Sequence, residues 1–459
     1  MDKIFRSIIN NVPSYTRFLS VREIDALIKD IKDMPGVKYH VMGKTVNEED
    51  LTLMEIGDSD TTALIIGVPH SDEPLGSLVT TYFARWLAQH PQEVKSLGWR
   101  WLFIPILERR GMRLNEMWFN VPDSFAAMAK TSFREPTEDQ YEWSFPIEYE
   151  GYQWTVTRPE TRLIQKVIKI EKPQLLCGLH HSGFTNGYYY FSRDIPDLYP
   201  KLRKFATSLR IPLANRAPDV PFGKMLSPGF YQMYGLKDYL EYYSKKDSKV
   251  ILSLKRGACS DEWYQDTVSG GFSFNCEVPM FLTPKLLDNS PSLVSYKAMM
   301  QQQYQRKKLR VAYSRKLFDK LQDYAHLADP LLYAMAQKHV DNAKMSLAHE
   351  KHILSTMEER PVSKAELFEN MVIADLFDLF FIGQIWRVSE SICLKGEAPK
   401  ICRLMESADV EITSLAKGIE QQGNFYQVPL RTAVKMQLGS ILIIAEKVRS
   451  LKDSPPLET

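Results

Sequence analysis

A chain of 459 residues, 44% hydrophobic and 25% charged, can bury a large core, which excludes a disordered protein and suggests two domains or one large domain with an appendage. Its 58 basic and 56 acidic residues leave a formal net charge of +2, so no broad field directs it to nucleic acid or an anionic membrane, and a peptide or small-molecule substrate fits better. No apolar run approaches the roughly 20 residues that span a bilayer, and the N-terminus lacks the apolar stretch of a secretory signal, so a cytoplasmic protein is expected.

Residues 1–36 read as a helical lead-in, with a helix over Val21–Met34. Residues 37–290 then alternate short β-branched and aromatic runs with helical stretches, the pattern of an α/β domain. Strands are expected at Lys38–Met42, Leu51–Ile56, Ala63–Val68, Trp99–Ile104, Gln174–Leu179, Gly187–Phe191, Val250–Leu254 and Phe272–Glu277. Helices are expected at Pro74–His90, Thr161–Glu171 and Leu198–Leu209. The runs at 63–68 and 174–179 are apolar almost throughout, as strands covered on both faces should be, so the fold class is α/β with a mixed, mostly parallel sheet and helices on both faces. From 291 to 459 strand signals almost vanish and apolar residues recur at helical spacing, giving an all-α C-terminal region suited to capping a site, forming a homo-oligomer or binding a partner. The five cysteines, at 177, 259, 276, 393 and 402, contain no Cys-x-x-Cys pair and are odd in number, so reduced, packed thiols are expected.

Chemistry concentrates where apolar strands end. Leu64-Ile65-Ile66-Gly67-Val68-Pro69-His70-Ser71-Asp72-Glu73 runs a strand into His-x-x-Glu, and Leu175-Leu176-Cys177-Gly178-Leu179-His180 ends a second strand in histidine. Open α/β sheets build their sites at such carboxyl ends, and a catalytic zinc needs three protein ligands of these types plus an open position. A third strand, Phe272-Ser273-Phe274-Asn275-Cys276-Glu277, delivers another carboxylate. By contrast His40, His90, His326, His339, His349 and His352 lie in helical or polar surroundings and read as surface or capping residues.

This ordered set resembles the zinc metallocarboxypeptidases over roughly residues 37–285. Gly257-Ala258-Cys259-Ser260-Asp261-Glu262-Trp263-Tyr264 resembles that family's pocket-bordering Gly-Ser-x-Asp-Trp-x-Tyr segment. Pro159-Glu160-Thr161 resembles its Glu-Pro-Glu-Thr element, with Arg158 in place of the first Glu. The resemblance implies one zinc per chain on His70, Glu73 and His180, Glu277 as general base, and Arg113 with Asn115 as oxyanion and substrate contacts. It also implies a mobile tyrosine, for which Tyr242 or Tyr243 is the candidate, while Arg109 and Arg110 read as a solvated loop. The chain departs from the pattern at Glu116, which stands where the carboxylate-clamping Arg is expected. Glu116, Asp261 and Glu262 together point to a cationic group on the substrate. The implied activity is hydrolysis of a peptide or amide bond. The alternatives are an amidase or deacylase of small acylated amino compounds, like the aspartoacylase group, and a non-catalytic metal-binding scaffold.

Overall fold

The computed structural model describes residues 2–120, 124–215, 220, 222–244, 254–355, 357 and 359–452. Its centre is a mixed ten-stranded sheet. The strands are β1 (Val37–Lys44), β2 (Asp50–Ile56), β3 (Thr62–Ile66), β4 (Arg100–Ile104), a separate hairpin of β5 (Ile147–Tyr149) and β6 (Tyr152–Trp154), β7 (Leu175–Gly178), β8 (His181–Gly183), β9 (Tyr188–Phe191), β10 (Met225–Ser227), β11 (Phe230–Gln232) and β12 (Phe272–Pro279). The spatial order is β1-β2-β4-β3-β7-β12-β9-β11-β10, with β8 alongside β12. The run β4-β3-β7-β12 is parallel, and β2 and β9 flank it with antiparallel pairings. The strand expected at Val250–Leu254 lies outside the described residues except for its last position.

Why the central strands are apolar throughout is visible in how their side chains divide. Ala63 and Ile65 of β3, Trp101 and Phe103 of β4 and Leu175 and Cys177 of β7 join one buried cluster. Leu64, Ile66, Leu102, Ile104 and Leu176, one residue out of phase, join another. Successive side chains of a strand point to opposite faces, so each face of the sheet has its own helical cover. Local signals agree: the helix Val21–Lys32 starts at Ser20 with a capping box in which Ser20 and Glu23 satisfy each other's backbone amides.

Beyond β12 the chain is helical apart from short strands: β13 (Phe281–Leu282) pairs with β16 (Tyr426–Gln427), and β14 (Pro291–Ser295) pairs with β15 (Pro361–Ser363). Residue 290 marks no break in the core. Val434, Leu438, Ile441 and Ala445 of the last helix, Leu430–Lys452, share one buried cluster with Phe274 and Cys276 of β12. The helix Ala374–Cys393 packs on the helix Phe125–Thr131 so closely that a Cβ on Gly383 would strike the Ala129 backbone.

The cysteines correct one expectation. Cys177, Cys259 and Cys276 are free and buried, but Cys393 and Cys402 form a disulfide with Cα atoms 5.5 Å apart. They sit at facing ends of the successive helices Ala374–Cys393 and Pro399–Gly423, and the short turn between these brings the Cα atoms into disulfide range. No helix among the described residues is long and apolar enough to cross a membrane.

Candidate metal centre

The site opens at the carboxyl ends of three adjacent strands. After β3 the chain reverses sharply, with Val68 at φ 52°, a left-handed conformation strained for a β-branched residue. The turn is clamped: Gly67 and Gly76 approach each other closely enough that a Cβ on Gly76 would lie 2.9 Å from the Gly67 Cα and from the Leu179 Cβ. This packing fixes His70 and Glu73, just ahead of the helix Leu75–Gln89, against the end of β7, where His180 emerges. Glu277 comes from β12, the neighbour of β7.

All four of these residues line one cavity of about 560 Å³, an ordinary size for a small-molecule site. The His70 and His180 rings are 5.1 Å apart between centroids. Glu73 Oε2 lies 3.0 Å from His180 Nδ1. The other oxygen, Oε1, accepts from Arg134 at 3.1 Å, and Arg134 also pairs with Asp72 at 2.9 Å. A residue not singled out in the sequence completes the centre: Glu142, in the 3-10 turn Tyr141–Trp143. Ser260 holds its Oε1, while its Oε2 lies 3.8 Å from His180 Nε2, beyond hydrogen-bond range.

Three buried atoms are thereby left without a hydrogen-bond partner: His70 Nδ1, His180 Nε2 and Glu142 Oε2. An unpaired buried polar atom costs about 1–3 kcal/mol. His70, Glu142 and His180 each offer a ligand atom within 4.8 Å of the others, and two imidazoles with a carboxylate suit a zinc-like cation. The residues present therefore fit a metal. Electrostatics agree. Burial, reinforced by Arg134, pushes His70 well below its ordinary value and keeps it neutral, the form that ligates. Burial alone would lower His180 as well, but Glu73, Glu277 and Glu142 raise it to about 9, so the pocket is built to hold positive charge. Burial opposes ionisation of Glu73, yet the positive charges of His180 and Arg134 hold it well below the usual carboxylate range.

The other expected site residues separate into those that reach the cavity and those that do not. Asp261 lines it, with a buried Oδ1 lacking a partner and an acidity weakened by burial and by Glu142 to about 8. Arg113 pairs with Glu49 at the surface, outside the cavity. Asn115 is buried and structural: its amide donates to the Ser71, Gly111 and Phe133 carbonyls. Glu116 accepts from the Val21 amide at 2.8 Å and so caps the helix Val21–Lys32. Glu262 accepts from the Leu236 and Lys237 amides at 2.9 and 3.1 Å, capping the helix Leu236–Ser244. Tyr242 and Tyr243 pack around Phe222, and it is Tyr188, Tyr190 and Tyr234 that line the cavity. Arg109 and Arg110 bond Asp25 and Asn47, and Arg158 joins Glu108 and Glu160. His181 accepts from the Leu75 amide at 3.2 Å and is held near a pKa of about 4 by burial.

Other lining residues escaped the sequence reading besides Glu142, among them Arg134, His339 and Gln384. Arg134 is the one Lys or Arg at the cavity among the described residues, with its side chain 37% exposed. His339, expected to be an ordinary surface or capping histidine, places Nε2 3.0 Å from the Arg134 carbonyl and lines the cavity too. So does Gln384, from the C-terminal region. The signal that could have marked Glu142 and Arg134 is a charge set beside aromatics, Phe133-Arg134 and Tyr141-Glu142-Trp143, in a stretch without helical or strand periodicity.

No protein-family model matches this sequence, and no curated protein does. Among solved structures it is similar to a protein from Shewanella amazonensis assigned provisionally as a metallopeptidase, at 13% identity and a TM-score of 0.38, covering 56% of this chain and 84% of that one. It is similar to a metallo-carboxypeptidase from Burkholderia cenocepacia at 14% identity and a TM-score of 0.36, covering 57% of this chain and only 60% of that protein. The carboxypeptidase A of Helicoverpa armigera gives 14%, 0.35, 61% and 70% for the same quantities. The chemistry of this chain rests on its own side chains.

Proposed function

We propose that this protein is a zinc-dependent amide hydrolase of the metallocarboxypeptidase type, acting on a compact amide. The observation that carries the reading is the convergence of three unpaired, buried ligand atoms of His70, His180 and Glu142 in a cavity that also holds Glu277. We take Glu142 as the third ligand, because its Oε2 is unpaired while both oxygens of Glu73 are engaged. Glu73 then orients His180 through Nδ1, as carboxylates behind ligating histidines do. When bound, zinc supplies Lewis acidity toward the amide carbonyl and toward water. Glu277 takes the proton of the attacking water and passes it to the leaving nitrogen, work that contributes roughly 10²–10⁴-fold. Arg134, not Arg113, is the cation available to the oxygen that gains charge at the carbonyl.

Within this class an amidase or deacylase of small acylated amines is favoured over a carboxypeptidase. A terminal carboxylate needs a cationic clamp in addition to the cation that serves the developing oxyanion, and the described residues place a single Lys or Arg at the cavity. The Asp261, Glu142 and Glu277 carboxyls that line the cavity offer hydrogen-bond acceptors to an amine and no positive charge to a second carboxylate.

The test is Glu277→Gln in the zinc-loaded protein with a panel of N-acyl amines and of peptides with free and amidated C-termini. The variant should keep one zinc per chain by elemental analysis and lose turnover by at least about 10²-fold. Near-normal turnover in Glu277→Gln would remove it from the chemistry, and efficient release of C-terminal residues bearing free carboxylates would return the reading to an exopeptidase.

A further inference from the structure

The helix Ala374–Cys393 is apolar on more than one side. Leu376, Leu379, Ile382 and Ile385 are buried in the core. Phe377, Phe380, Phe381 and Gln384 follow the i, i+3, i+4, i+7 rule, so they form a second stripe along the same helix. All four line the cavity that contains His70, His180 and Glu277. Phe377 stays 65% exposed. Its neighbours on the stripe are backed by the fold: the Phe380 ring lies 5.7 Å from Phe184, and the Phe381 ring 6.4 Å from His339.

The two sides of the cavity differ in chemistry. The end of the sheet brings carboxylates, imidazoles and tyrosine hydroxyls, whereas this helix brings three phenylalanines and one neutral amide. An aromatic stripe left open inside a concave site, within the same 560 Å³ as the candidate ligands, is suited to receive an apolar group and too confined to receive a protein surface.

We infer that Phe377, Phe380 and Phe381 form the subsite for an apolar group of the substrate, an aliphatic chain or an aromatic ring attached close to the scissile amide. The C-terminal helical region then selects the substrate as well as completing the core. This deepens the hydrolase reading and rests on its metal centre.

The experiment uses the full chain loaded with zinc and two hydroxamate probes of different tail length, acetohydroxamate and octanohydroxamate, with affinities measured by titration calorimetry. Each methylene buried should improve binding about 4-fold. The longer probe carries six more methylenes, and with about half of them buried on the stripe the native protein should prefer it by on the order of 100-fold. Phe377→Ser changes an exposed side chain and leaves the fold intact; it should cut that preference by roughly 10-fold while keeping the zinc content and the acetohydroxamate affinity. Phe381→Ala should do the same. Equal affinity for both probes in the native protein, or a preference unchanged in both variants, would overturn the inference while leaving the metal centre standing. A chain that binds no zinc would overturn the metal centre first, and this subsite with it.

Discussion

Gly383 offers a direct probe of how the C-terminal helices are fastened to the sheet domain. A Cβ there would lie 3.1 Å from the Ala129 Cα and well inside contact distance of the Ala129 carbonyl carbon and oxygen. Every obstacle is backbone, on a helix whose residues Phe125, Met128 and Ala129 are themselves buried, so no side chain can swing aside. Gly383→Ala must therefore push two helices apart by something approaching an ångström. Overpacking of this kind typically costs about 1–3 kcal/mol, and a backbone obstacle belongs at the upper end, which outweighs the roughly 1 kcal/mol that alanine gains over glycine inside a helix. The net loss expected is about 1–2 kcal/mol, read as a lower urea midpoint with an unchanged slope. Because Phe380 and Gln384 flank Gly383 on the cavity side, the variant should also lose part of its preference for octanohydroxamate. A variant as stable as the native protein, or more stable, would refute the close packing of these helices.

Two further outcomes follow from the buried charges. Glu142→Gln should weaken zinc binding, measured by competition with a chelator, more than Glu73→Gln does, since loss of an orienting partner typically costs about 10–100-fold and loss of a ligand more; the reverse order would restore Glu73 as the ligand. Glu135 is pushed up to about 8 by burial and by Glu108, although it accepts a 2.7 Å bond from Ser71. With its folded value raised, its contribution is intact below the unfolded value near 4.5 and is lost as pH climbs to about 8, because the unfolded chain ionises first. Glu135→Gln should thus have a melting temperature that declines less between pH 5 and 8 than the native one, and parallel curves would count against a buried acid at this position.

The strand pattern could be read because each central strand is covered on both faces. A run such as Ala63–Ile66 carries no polar residue, and the first ionisable groups after it, His70, Asp72 and Glu73, stand out. The same holds for His180 after β7. Strand and helix limits fell within two residues of the expected ones for Leu51–Ile56, Pro74–His90 and Thr161–Glu171. Arg113, Glu116 and Glu262 misled because charge beside a motif says nothing about direction. Glu116 and Glu262 face amides 95 and 26 residues away, which no local pattern reveals. Glu142 and Arg134 stayed hidden for the opposite reason: they lie in a segment of short turns, where position is set by tertiary packing. The facing ends of two helices that bring Cys393 to Cys402 were likewise invisible to a count of cysteines.

One bond between the two regions bears on how the molecule comes into being. Gln437, fully buried in the last helix, donates its side-chain amide to the His180 carbonyl at 2.7 Å. Synthesis proceeds from the N-terminus, so His70, Glu142, His180 and Glu277 all leave the ribosome long before the segment that steadies the strand end carrying His180. Final assembly of the centre thus waits for that late segment, and a nascent chain stalled before residue 430 would carry every candidate ligand without the support that sets one of them.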